Sequence, residues 1–193
     1  MRSGTTLKNP LTGQFVFLVV APSETGGRSF TAEWTIAARR GRDGVPAHLH
    51  PLSTEIFTIH AGRARYVLAG EERDLGPGEQ VVMPAGVRHI HPWSVSNEPL
   101  RYRQVAESAV PAEREMDAAL EGLRTLFALA TEGRTNGRGI PSPLQLAVIG
   151  HAMMPGTYLA SSPIALQRLL LPVAAAIGRA LGYRPTYARH LLA

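Results

Sequence analysis

The sequence predicts a mainly β protein whose last part turns helical. Three observations carry that expectation. Between about residues 15 and 110, short apolar or alternating runs are separated by glycine, proline and aspartate at the intervals typical of sandwiches and barrels. Beyond residue 110 the apolar positions recur instead at helical spacing. Within the β part, histidines and a carboxylate gather in two stretches, AHLHPLSTEIFTIHAG (47–62) and MPAGVRHIHPW (83–93).

In chain order, a polar, turn-rich leader (1–14) precedes FVFLVVA (15–21). That run is short for a signal-peptide core, and its aromatic and β-branched residues read as a buried strand, so the chain is expected to be cytoplasmic. In SFTAEWTI, Phe30, Ala32, Trp34 and Ile36 share one face of a strand. RARYVL repeats the alternation with Ala64, Tyr66 and Leu68. AGEERD is read as a hairpin connection turning at Ala69-Gly70, and LGPGE (75–79) as a second sharp turn before QVVM. Pro84 and Gly86 break the next run, which resumes at Arg88 with His89, His91 and Trp93 on one face. RYRQVAES, from Arg101, closes the β region.

Composition narrows the chemistry. With 193 residues the chain can bury a substantial core without covalent staples. It has no cysteine, which excludes disulfides, thiolate nucleophiles and zinc–thiolate sites, so any metal must be held by nitrogen and oxygen. The net charge of +5 comes almost wholly from scattered arginines, Lys8 being the one lysine. No basic cluster is interleaved with aromatics, so no nucleic-acid partner is expected. His48 and His50 are two residues apart on an extended segment and point the same way, as two imidazoles sharing one cation must. Glu55 heads the following strand, and His60, of opposite parity to Glu55, is expected to point outward.

Residues 15–110 resemble the cupin superfamily. Its first motif is matched by His48, His50, Glu55 and Gly62, its second by Gly78, Pro84, Gly86 and His89. Two departures are a displaced leading glycine (Gly41 or Gly44) and Trp93 in place of the usual asparagine. The resemblance implies a double-stranded β-helix, the jelly-roll barrel of a small bacterial single-domain cupin, followed by a C-terminal α-helical extension. It also implies that His48, His50, Glu55 and His89 converge on one divalent transition metal (iron, manganese, nickel or zinc) with coordination positions left open. His91 faces the same way as His89 and is a candidate for proton transfer, for partnering a ligand, or for ligation itself. Trp34, Phe57, Tyr66 and Trp93 are the expected substrate pocket. The expected function is a metal-dependent enzyme acting on a small organic molecule, by dioxygenase, isomerase or cyclase chemistry. The alternative is a non-catalytic cupin that binds a small ligand while its helical tail engages a partner protein or a membrane surface.

The tail explains why a partner enters the expectation. Met116, Leu120, Leu123, Phe127 and Ala130 form one apolar stripe on a helix from Pro111 to about residue 131. A turn-rich linker (133–143) leads to helical segments from Leu144 and Ile164, and no acidic residue follows Glu132. LLLPVAAAIG is too short to span a bilayer. The division expected is therefore a barrel (1–110) and an extension (111–193) that packs on the barrel or on a second subunit. A homodimer is preferred over peripheral membrane contact.

Overall fold

The computed structural model describes residues 1–43 and 45–190; Gly44, one candidate for the displaced motif glycine, lies outside them. Two antiparallel sheets face each other. The larger runs β1 (Thr6–Asn9), β2 (Gln14–Val20), β3 (Ser29–Ile36), β10 (Leu100–Ser108), β5 (Ser53–Ala61) and β8 (Gln80–Met83) in spatial order. The smaller runs β11 (Tyr158–Leu159), β4 (His48–Leu49), β9 (His89–Ser94), β6 (Ala64–Leu68) and β7 (Glu71–Leu75). Three helices follow the β region: α1 (Glu113–Thr131), α2 (Pro143–Met153) and α3 (Ile164–Ala180).

The alternation in the strands becomes burial. Phe30, Ala32, Trp34 and Ile36 all face the core, as do Phe57, Ile59, Leu100 and Tyr102 on the neighbouring strands. Trp34 stacks on Tyr102 across β3 and β10 (centroids 5.7 Å apart, planes at 15°), and Phe127 of α1 meets Trp34 edge-on at 6.4 Å. Edge-to-face and offset pairs of this kind add to the burial of large rings. Through Phe127, Met116 and Leu120 the apolar stripe of α1 joins the barrel core. Gly62, Gly78 and Gly86 turn the chain with φ of 79°, 84° and 78°, as their placement at strand corners requires. At Gly62 a Cβ would lie 2.7 Å from the Pro99 carbonyl oxygen, so no larger residue fits that corner.

Four sequence readings need correction. The leader is not merely turns: Thr6–Asn9 is a strand paired with β2, because Leu7 and Asn9 alternate inward on a short edge. The run 15–21 is buried on one face only, Phe17 being 38% exposed. The connection after β6 is just Ala69-Gly70, both with positive φ, and EERDL forms β7. Its charges conceal a strand because it is an edge, and charged edges resist pairing with other chains. Finally, the tail supplies a strand, β11, that pairs antiparallel with β4, placing Leu159 opposite His48. Gln167 of α3, buried, clamps this strand by accepting from the Leu159 N–H (3.0 Å) and donating to its carbonyl oxygen (2.7 Å).

The helices are tied down in turn. Ser142 caps α2 by accepting from the Gln145 N–H, and Pro143 begins the helix where its missing donor costs nothing. At Gly178 a Cβ would meet Val148 at 2.7 Å, so α3 crosses α2 at close range. Glu132, just past α1, accepts from Arg189 (2.7 and 2.8 Å) and from His190 (2.8 Å). The Arg189 hydrogen bond, followed by those of His190 and Arg134, outweighs burial and holds the Glu132 carboxyl at about 2. A carboxyl depressed in the folded state stabilises above its ordinary value of 4.5, and that contribution is lost as pH falls toward 2. Glu132→Gln is therefore expected to lower stability at pH 7 by at most about 1 kcal/mol, since solvent screens the pair. Thermal melts of the two proteins should converge near pH 2; a difference independent of pH would contradict the ion pair.

Candidate metal centre

Strand pairing builds the centre. β4 and β9 lie side by side with His48 directly opposite His89, and both project inward. His50 follows β4, Glu55 enters from β5 in the opposing sheet, and His91 follows His89 along β9. Opposite Glu55 on β10 is Ala106, whose small side chain leaves room at the inner surface. The donor atoms of His48, His50, Glu55, His89 and His91 all lie within 4.8 Å of one another. His60 turns outward, with its side chain 44% exposed near Glu33.

Three of the histidines are oriented by backbone carbonyls. Nδ1 of His48 donates to the Pro46 oxygen at 2.8 Å, Nδ1 of His89 to the Val87 oxygen at 2.9 Å, and Nδ1 of His50 to the Gly156 oxygen at 3.1 Å. A carbonyl only accepts, so each bond places the proton on Nδ1 and leaves the Nε2 lone pair for the interior of the cluster. Nε2 of His89 lies 3.0 Å from Glu55 Oε2 yet is buried without an aligned hydrogen bond. A buried nitrogen in that condition is costly unless something else fills its lone pair.

The electrostatics favour neutral imidazoles at His48 and His50 and an ionised carboxylate at Glu55. Burial first, then the neighbouring His91, His50 and His89, pushes His48 well below its ordinary range. His50 is also lowered, mainly by burial. Burial alone would raise Glu55, but the combined pull of His91, His50 and His89 holds its carboxyl well down. Against the effect of burial, the nearby Glu55 carboxylate raises His89. Glu55 also accepts from Gln104 Nε2 at 2.7 Å, and Gln104 in turn accepts from Trp34 Nε1 at 2.7 Å. Three imidazole nitrogens and one fixed carboxylate suit a divalent first-row transition metal, so the donor set fits the ion that the sequence implied.

His91 sits inside the cluster. Its Nε2 donates to Glu55 Oε2 at 3.0 Å, its ring stacks on His89 (5.6 Å, 9°) and packs against Phe57 (4.9 Å), and its Nδ1 is buried without a partner. Trp34 lines the adjoining cavity, whereas Phe57 lies beneath His91 and Tyr66 is core. Trp93 is a correction. A register shift between Arg65 and Val67 pairs Trp93 with Arg65 and Ser94 with Ala64, which reverses the parity after His91. Trp93 therefore lies on the other face of β9, under the Arg42 guanidinium at 4.8 Å, and does not border the pocket.

Sequence reading missed Gln104 and Thr157. Gln104 was findable, being a polar residue at an inward position between Tyr102 and Ala106. Thr157, whose Oγ1 lies 3.1 Å from His50 Nδ1, gave no signal 107 positions away in a two-residue strand's approach.

Residues 36–105, which include all five donors, match the family model of the cupin domain. No curated protein matches the chain in sequence. Among solved structures the chain is similar to a predicted oxalate decarboxylase from Thermotoga maritima, at 14% identity over 55% of this chain and 92% of that one, with TM-score 0.47. It is similar to the cupin domain of Schizosaccharomyces pombe Cnp3, at 9% identity over 54% of this chain and 68% of that one, with TM-score 0.45. It is also similar to the Lactobacillus farciminis oxalate decarboxylase in its formate complex, at 16% identity over 60% of this chain and 35% of that one, with TM-score 0.46. The family match covers residues 36–105, and with the paired antiparallel sheets and both motifs it makes this β region similar to a cupin domain.

Proposed function

We propose that this protein is a metal-dependent enzyme acting on a small organic molecule, with His48, His50, Glu55 and His89 as ligands. The observation that carries the proposal is the convergence of these donors, three of them histidines whose Nδ1 protons are already committed to carbonyls. A bound divalent ion would act there as a Lewis acid toward a substrate oxygen. His91 is the candidate proton carrier: it borders the cavity, donates to Glu55 through Nε2 and has Nδ1 uncommitted. Gln104 holds Glu55 in place from behind. Elemental analysis of the purified, reconstituted protein tests the reading. About one equivalent of a transition metal per chain is expected, while less than about a tenth of an equivalent would remove both the centre and the enzyme.

The partner we propose is a second copy. On α3 the residues Leu166, Leu169, Leu170, Val173 and Ile177, with Leu181 at its C-cap, are all large, apolar and 44–68% exposed. They recur every three or four residues, the spacing with which one helix packs along another. The cations of α3 turn away from this face: Arg168 donates to the Tyr158 hydroxyl and Arg179 reaches His151. A helix lying on an anionic membrane would carry its cations along the flanks of the apolar face. Light scattering is expected to give a dimer, and Leu169→Glu with Val173→Glu a monomer. A monomeric native protein recovered on anionic vesicles would favour the membrane.

A further inference from the structure

Resting on the reading of the site above, we infer the class of molecule the cavity takes: a compound with an uncharged, apolar body and a single oxygen donor directed at the histidine–glutamate cluster. The cavity, about 270 Å³, opens directly onto His48, His50, Glu55 and His91. Its opposite side is supplied by the helical extension, through Met116, Leu120 and Leu123 of α1 and Ala147, Ile149 and Met153 of α2. Among the described residues that line it there is no lysine or arginine, and beyond the donor cluster the one charged side chain is Glu115.

That lining discriminates by charge. A carboxylate carried on the body of the ligand would be buried among leucine and methionine side chains, facing Glu115 and with no cation to pair with. A small dianion could reach the ion, whose charge Glu55 only half neutralises, but it would leave most of the apolar wall uncovered. An alcohol or ketone oxygen carries no such penalty, and an aliphatic or alicyclic body covers the wall that the helices provide. The Arg88 guanidinium lines a neighbouring cleft, which shares Pro46, Leu126, Leu146 and Leu159 with this cavity. The selectivity thus belongs to the extension, because the barrel contributes the donors and the helices contribute the contact surface.

The test uses a matched pair of ligands on the metal-loaded full chain. Trp93→Phe leaves Trp34, on the cavity wall, as the one tryptophan, since the chain has two. Its fluorescence is titrated with cyclohexylmethanol and with trans-4-(hydroxymethyl)cyclohexanecarboxylate, which offers the same hydroxyl and carries its charge at the far end of the body, and metal content is measured on the same samples. Cyclohexylmethanol is expected to bind at least about tenfold more tightly than the hydroxy acid. Ala119→Phe, which fills the cavity from α1, should weaken it by about tenfold or more, and Ala119→Arg should narrow the gap between the two ligands. Equal or tighter binding of the hydroxy acid to protein holding its full metal equivalent would overturn this inference and leave the metal centre standing. Preference for the alcohol in protein that takes up no metal would do the reverse.

Discussion

His89→Ala is expected to take bound metal from about one equivalent per chain to less than about a tenth, because it removes one of three imidazole nitrogens and opens the cluster at its most buried member. His48→Ala should do the same, since the two imidazoles face each other across β4 and β9. The apo protein should survive His89→Ala, because that change trades one hydrogen bond to the Val87 carbonyl for the removal of a buried unsatisfied nitrogen. His91→Ala separates the roles left open for that residue. If metal is retained while turnover on an identified substrate falls, His91 moves protons; if the metal is lost with it, His91 is a ligand; unchanged turnover would remove it from the chemistry.

The largest effect on stability is expected at Phe127, where α1 meets the barrel. Phe127→Ala empties a site that is 1% exposed and withdraws the ring that meets Trp34 edge-on. Substitutions of this kind cost about 3–5 kcal/mol, which in a chain of this size lowers the melting temperature by roughly 10 °C. Circular dichroism at 222 nm and tryptophan fluorescence should show one shared transition, because the helix and the sheets share one core. Two separate transitions, with the barrel unaffected, would mean that α1 is an appendage.

How far the sequence could be read depended on whether each feature was local. Alternation in SFTAEWTI and the stripe from Met116 to Ala130 are periodic over a single element, and both became burial as expected. His48 and His50 were legible as a pair because alternation along an extended segment turns both the same way, and the motif resemblance added Glu55 and His89. Trp93 failed for the same reason, since a single irregularity in the pairing of β6 and β9 reversed the parity that the reading assumed. EERDL hid as a strand because edge strands need charge where inner strands need apolar residues. Thr157, Gly156 and β11 could not be seen at all, because their meaning lies in contacts more than a hundred residues away.

That last distance has a consequence in time. The Gly156 carbonyl that orients His50, and the strand that lies beside His48, belong to a part of the chain made about a hundred residues after those histidines. Contacts so far apart form late, after the loop between them has closed. During synthesis the barrel can pair β4 with β9 as soon as both have emerged, but its histidines then lack one orienting carbonyl and the neighbouring strand. An ion encountered at that stage meets a looser set of donors than the finished one. On the proposed reading, the order in which the ribosome delivers this chain would place selective metal capture after the arrival of residues 156–159.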